Sequence, residues 1–242
     1  MRTPNPINLQ MVRLVAERLG ELRDSVVFVG GAVVDLLITD PAAPSVRGTN
    51  DVDVIVQVAS QRDYHKLGGI LRSLGFREDS QTEDGPVCRW IIDGITVDTM
   101  PMKGQVLGFS NRFYSLAVET ARPREISEGL TIRLISAPCF LATKLEAFED
   151  RGHDDFMGSP DMEDVIAVLD GRPEVIGEIA DSPLQVKTFL VKAFAVLLEE
   201  DGFRDSLYGH LDFDSEGPGR VSIFLGRVRT IASMEIEASD SD

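Results

Sequence analysis

Thr49-Asn50-Asp51-Val52-Asp53-Val54-Ile55-Val56 is the stretch on which the reading of the whole chain turns. Its β-branched residues suit a pleated, half-buried surface. Side chains alternate along a strand, so Asp51 and Asp53 share one face while Val52, Val54 and Val56 turn to the core. Two carboxylates that close repel each other unless a cation or water relieves them. Magnesium binds a few carboxylate oxygens together with substrate phosphates, which suits this pair. A solvated strand face also carries Asp-x-Asp, so the neighbouring segments decide between the two.

Upstream, Val26-Val27-Phe28-Val29 reads as a buried strand ending at Gly30-Gly31, with a short helix from Ala32 to Ile38 and a loop through Asp40-Pro41-Ala42-Ala43-Pro44-Ser45. An amphipathic helix is expected before that strand, over 7–23, and another follows Val58, over 61–74, closed by Gly75. Asp93-Gly94 lies between Val87–Ile92 and Ile95–Met100, the signal of a hairpin. Further strands are expected near Phe113–Glu119 and Leu130–Ile135. After Ser136, which with Ala137 and Pro138 forms a helix start, the pattern turns helical: 138–151, 160–169, 173–179, 184–199 and 221–234. The expected fold is α/β (α+β). A mixed β-sheet with flanking helices over residues 1–136 precedes a helical region over 137–242.

Two features strengthen the functional reading of Asp51 and Asp53. Gly30-Gly31 ends a strand and opens a helix, where backbone amides can approach a phosphate. Asp98 lies on the strand after the hairpin and shares a face with Thr96. Three carboxylates from two adjacent strands beside a glycine turn suit a two-metal site for Mg2+ or Mn2+. A solvated acid at a strand end is the plainer reading of Asp98 taken alone.

The second informative segment is Lys144-Leu145-Glu146-Ala147-Phe148-Glu149-Asp150-Arg151. Lys144 and Arg151 lie on one helical stripe with Ala147 between them. A lysine aimed at a carboxylate site would neutralise charge developing on a leaving pyrophosphate. Otherwise Lys144 belongs to a solvated helix and pairs with Glu146 or Glu149. In Ser159-Pro160-Asp161-Met162-Glu163-Asp164, Ser159 or Asp161 caps a new helix, and Asp161 and Asp164 project to one side. One of them would serve as general base for an acceptor hydroxyl or would position Lys144. The blander reading is that these acids complement the helix dipole.

Gly-Gly, a helix, Asp-x-Asp and a later strand Asp resemble the nucleotidyltransferase superfamily that includes polymerase β. Here a proline-containing loop over 40–48 lengthens the connection. The pairing of Lys-x-x-Ala-x-x-x-Arg with Asp-x-x-Asp is most similar to the abortive-infection (AbiEii-type) nucleotidyltransferases, toxins of bacterial toxin–antitoxin pairs. The resemblance covers roughly residues 25–170. It implies that NMP moves from an NTP to an acceptor hydroxyl such as a tRNA 3′ end, and that a cognate antitoxin exists. Gly30, Gly31, Asp51, Asp53, Lys144 and Asp161 are the implied site residues, with Asp98 and Asp164 following; Arg151 joins the nucleotide-binding group. Asp35 echoes tRNA nucleotidyltransferases, although Val34 stands where they carry arginine.

Bulk properties narrow the acceptor. The 242 residues are 43% hydrophobic and 26% charged, with a formal charge of −16. Such acidity argues against a broad phosphate-binding surface. It favours a cationic small molecule, as in aminoglycoside nucleotidyltransferases, over a nucleic acid unless a local basic patch meets it. Arg89, Arg112, Arg122, Arg124 and Arg133 would form such a rim, or serve solubility. A non-catalytic nucleotide-binding module is the rival outside enzymology. The apolar run 184–198 is broken by Lys187 and Lys192 and reads as a buried helix; with no membrane span or signal peptide, and with only Cys88 and Cys139, a reduced cytoplasmic protein is expected. His153 is a lone loop histidine beside two acids.

Overall fold

The computed structural model describes residues 5–79, 88–108, 110–152, 154–211 and 217–236. Val87, His153 and the acidic end 238–242 lie outside the described residues. In chain order the elements are α1 (Pro6–Leu19), β1 (Val26–Val29), α2 (Val34–Leu37), β2 (Asp51–Val56), α3 (Gln61–Ser73), β3 (Arg77–Glu78), β4 (Arg89–Ile92), β5 (Ile95–Pro101), α4 (Tyr114–Thr120), β6 (Arg122–Ser127), β7 (Leu130–Leu134), α5 (Ala137–Arg151), α6 (Pro160–Gly171), α7 (Val175–Ala180), α8 (Leu184–Glu199), α9 (Asp201–His210) and α10 (Gly217–Ala232).

Seven strands form one sheet in the order β3-β4-β5-β2-β1-β7-β6. It is mixed: β2 runs parallel to β5 and β1 parallel to β7, while β1–β2, β3–β4, β4–β5 and β6–β7 are antiparallel. The central strands carry the core, with Val27, Phe28, Val52, Val54, Ile55 and Val97 fully buried. Asp93 and Gly94 both adopt positive φ, 48° and 82°, the conformation of a two-residue hairpin turn. That turn sets the register in which Arg89 lies opposite Asp98. Parallel pairing of β2 with β5 brings Asp53 directly opposite Asp98.

Helices α5 to α10 continue the same buried core with side chains that include Phe140, Phe194, Phe203 and Phe224. Pro138 stands in the first turn of α5, and the Ser159 side chain caps α6 by accepting from the Met162 N–H. Among the described residues no helix is long and apolar enough to cross a membrane.

Two expectations about elements need correction. The segment 113–119 is not a strand but α4. Phe113, Ala117 and Val118 are its buried residues, a helical spacing, and the Asn111 side chain accepts from the Phe113 N–H at 3.0 Å while donating to the Thr143 carbonyl. The helix after Gly30-Gly31 is also shorter than expected. A single 3-10 turn, Gly31–Val33, leads into the four residues of α2, so little macrodipole stands behind the glycine turn.

Candidate active site

A cleft of about 850 Å³ opens between the sheet and helices α5 and α6, and it is lined by Gly31, Asp51, Asp53, Asp98, Lys144, Arg151 and Asp161. Gly30 lies beneath it with φ 75°, and a Cβ added there would lie 1.8 Å from Asp53 Oδ2. Glycine is therefore required at 30 twice over, for its backbone angle and for the carboxylate resting against it.

Asp51, Asp53 and Asp98 each offer a carboxylate oxygen, and these oxygens lie within 4.8 Å of one another. Alternation along β2 points the first two to the same side, and the parallel register adds the third. Arg89 holds Asp98 in a fork, with Nε 2.9 Å from Oδ1 and Nη2 2.8 Å from Oδ2. The Thr49 hydroxyl donates to Asp51 at 2.5 Å. Withdrawal from water, then the charge of Asp51 and that of Asp98, push the Asp53 carboxyl up to about 7 against the pull of Lys144 and Arg151. Three carboxylates with one bonded guanidinium leave charge for a divalent ion to neutralise. Their spacing is within reach of ions that take oxygen at about 2.1 Å, and broad enough for a pair about 3.5–4 Å apart. The donor set thus fits the implied metal.

The helical side is built in the opposite way. The Lys144 ammonium donates to Asp161 Oδ1 at 3.0 Å and pairs with Asp164 Oδ2 at 2.7 Å. Arg151 forks onto Asp161, Nε to Oδ2 at 2.8 Å and Nη2 to Oδ1 at 3.0 Å. Arg47 forks onto Asp164, with both bonds at 3.1 Å. Burial would lower the Lys144 ammonium, but Asp164 and Asp161 outweigh it and raise it above its ordinary range. Burial likewise would raise Asp161, yet the hydrogen bonds from Arg151 and the charge of Lys144 hold it below the usual carboxylate range.

Every sequence-predicted site residue is therefore brought to this cleft or to its immediate support. Lys144 pairs with the α6 acids and not with Glu146, which Arg112 occupies at 3.2 Å. The five arginines do not form one rim: Arg89 is bound to Asp98, Arg112 to Glu146, and Arg133 to the Val118 carbonyl, while Arg122 and Arg124 stand exposed on β6. Asp35 is buried, is not one of the carboxylate trio, and accepts the Asn5 N–H at 2.8 Å. Arg47 and Thr49 are cleft residues that sequence reasoning passed over. Arg89 had a readable signal, because a two-residue turn at 93–94 pairs 89 with 98 by counting outward.

Comparison with a solved structure shows that the fold is nucleotidyltransferase-like. An antigenic nucleotidyltransferase-like protein from Paracoccidioides brasiliensis is 20% identical, with a TM-score of 0.50, covering 85% of this chain and 92% of its own. JHP933 from Helicobacter pylori is 11% identical, with a TM-score of 0.48, covering 95% of this chain and 94% of its own. The antibiotic-resistance factor ANT(2'')-Ia is 10% identical, with a TM-score of 0.40, covering 92% of this chain and 91% of its own. No protein-family model and no curated protein matches the sequence.

Proposed function

We propose that this protein is a metal-dependent nucleotidyltransferase that moves NMP from an NTP to an acceptor hydroxyl. The observation that carries the reading is the convergence of Asp51, Asp53 and Asp98 within 4.8 Å beside Gly30, with the Asp53 carboxyl raised first by burial and then by the charges of Asp51 and Asp98, which a cation would offset. Mg2+ or Mn2+ held by these three would supply Lewis-acid stabilisation of the transferring phosphoryl group and lower the pKa of the acceptor hydroxyl. Gly30 and Gly31 leave room for phosphates. Lys144 and Arg151 lie across the cleft as fixed cations for the pyrophosphate leaving group. Asp161 and Asp164 position those cations. A carboxylate held by two donors and kept below its usual range is a poor base, so the acceptor proton is not assigned to Asp161. In this reading residues 1–136 form the catalytic domain, and residues 137–242 a helical domain that supplies Lys144 and Asp161.

The acceptor follows from charge. At −16 the chain suits a cationic, hydroxylated small molecule. The tRNA 3′ end, the toxin role and a cognate antitoxin rest on the Lys-x-x-Ala-x-x-x-Arg and Asp-x-x-Asp resemblance alone. Labelled NTPs with Mg2+ or Mn2+ and either an aminoglycoside set or a tRNA pool test both the activity and the acceptor. Pyrophosphate release with label on one acceptor is expected. Tight NTP binding with no pyrophosphate released for any acceptor would favour a non-catalytic nucleotide-binding module.

A further inference from the structure

The loop over 38–50 is pinned along its length. The N–H groups of Thr39 and Asp40 donate to the Gly171 carbonyl at the end of α6. Asn5 Nδ2 donates to the Val46 carbonyl at 3.2 Å, and Asn8 Nδ2 to the Arg47 carbonyl at 2.9 Å, while Asn8 Oδ1 accepts the Thr49 N–H at 3.1 Å. Asn8 is fully buried. Loops are ordinarily the mobile parts of a fold, but this one has its backbone held on both sides of a single basic side chain.

That side chain, Arg47, lines the cleft. Its guanidinium crosses Gly31 so closely that a Cβ there would lie 2.9 Å from Nη2. The fork onto Asp164 and a longer bond from Nη1 to the Gly48 carbonyl at 3.4 Å use three N–H groups, and a guanidinium has five. The side chain is 27% exposed. It is thus a charged donor, oriented by a buried carboxylate and part-open to the cleft, beside the glycine turn where phosphates would lie. A planar fork matches phosphate oxygens better than a point charge does.

We infer that Arg47 is a specificity residue that reads the β- and γ-phosphates of the nucleotide and so selects NTP over NMP, a role that rests on the nucleotidyltransferase reading of the cleft. Gly31, on this account, is small to let Arg47 lie across it. The test is calorimetric binding of ATP and AMP, and of GTP and GMP, with Ca2+ in place of Mg2+ to hold back turnover. It uses the full-length wild type, Arg47→Ala and Arg47→Lys, each with its melting temperature recorded. The wild type should prefer a triphosphate. Arg47→Ala should lose about 10- to 100-fold in triphosphate affinity, as expected for a charge-assisted hydrogen bond, with monophosphate affinity within about twofold. Arg47→Lys, which keeps the charge but not the fork, should fall between them and gives the same comparison if the alanine variant folds poorly. If the wild type prefers triphosphate and the Arg47 variants keep that preference, Arg47 is only a loop anchor and the inference falls while the active-site reading stands. If the wild type binds no nucleotide, both fall.

Discussion

Two groups of aspartates meet across one cleft with opposite electrostatic balance. Asp51, Asp53 and Asp98, on the sheet, have Arg89 as their hydrogen-bonded cation. Asp161 and Asp164, on α6, are shared among Lys144, Arg151 and Arg47. The Asp53 carboxyl of the first group is raised and the Asp161 carboxyl of the second is lowered. A buried carboxylate surrounded by donors is a fixed part of the scaffold, and cutting its partners leaves an uncompensated charge. A carboxylate surrounded by its own kind has no such compensation and costs more to keep ionised. The difference separates carboxylates whose charge the chain itself offsets from carboxylates whose charge it largely leaves.

The comparison is broken most severely at Asp53. Asp53→Asn should lower transfer by on the order of 10³-fold or more, the loss expected when transition-state charge stabilisation is removed. Yet the metal-free variant should be the more stable protein at pH 8, because a desolvated, repelled charge has been deleted. Steady-state pyrophosphate release and thermal melting without divalent ions check the pair of outcomes. Lys144→Met should behave in the opposite sense. It should cost about 10²- to 10³-fold in transfer and also destabilise the fold by about 3 kcal/mol, since Asp161 and Asp164 stay buried with a partner gone. Equal stability changes in the two variants would erase the distinction between the groups.

Gly30→Ala sharpens the comparison without adding or removing a charged residue. The added Cβ would collide with Asp53 Oδ2, and the positive φ adds strain. The expected result is a loss of about 1–3 kcal/mol of stability, with weakened divalent binding read by calorimetry.

Where signals are local, the fold was legible on both sides of the cleft. Asp-x-Asp alternates on β2, Asp93-Gly94 fixes a hairpin, and 184–199 is read end to end as α8. What escaped depends on partners far along the chain. β6 is an edge strand of mainly exposed residues, including Arg122, Pro123 and Arg124, so its pattern offers no apolar alternation. α9 has two glycines and only Phe203, Ser206 and Leu207 buried, a stripe too narrow to announce a helix. α4 was misread because Tyr114, Leu116 and Val118 look like strand residues until Asn111 ties its start to α5. Arg47 carries no local pattern at all, and its partner Asp164 is distant in sequence and close only in the fold.

The mildest perturbation, which changes no residue, is a change of pH on the metal-free protein. Asp53 ionises at about 7 in the fold against 3.8 unfolded, so the folded form binds the proton more tightly. Its contribution is present below 3.8 and is lost as pH rises toward 7, on the order of 2–4 kcal/mol. Asp161, held below 3.8, contributes in the opposite sense: its stability is present above that value and lost as pH falls below it. Melting temperature should therefore peak near pH 4–5 without metal, and saturating Mg2+ should flatten the fall between pH 5 and 8. Asp53→Asn should flatten it without metal.

Uptake of Mn2+ bears most directly on the central claim that cation binding is what the Asp51–Asp53–Asp98 repulsion calls for. With a non-hydrolysable NTP analogue present, titration calorimetry or electron paramagnetic resonance should find Mn2+ bound by the wild type and lost from Asp53→Asn. Absence of bound Mn2+ in the wild type, with nucleotide saturating, would contradict the account.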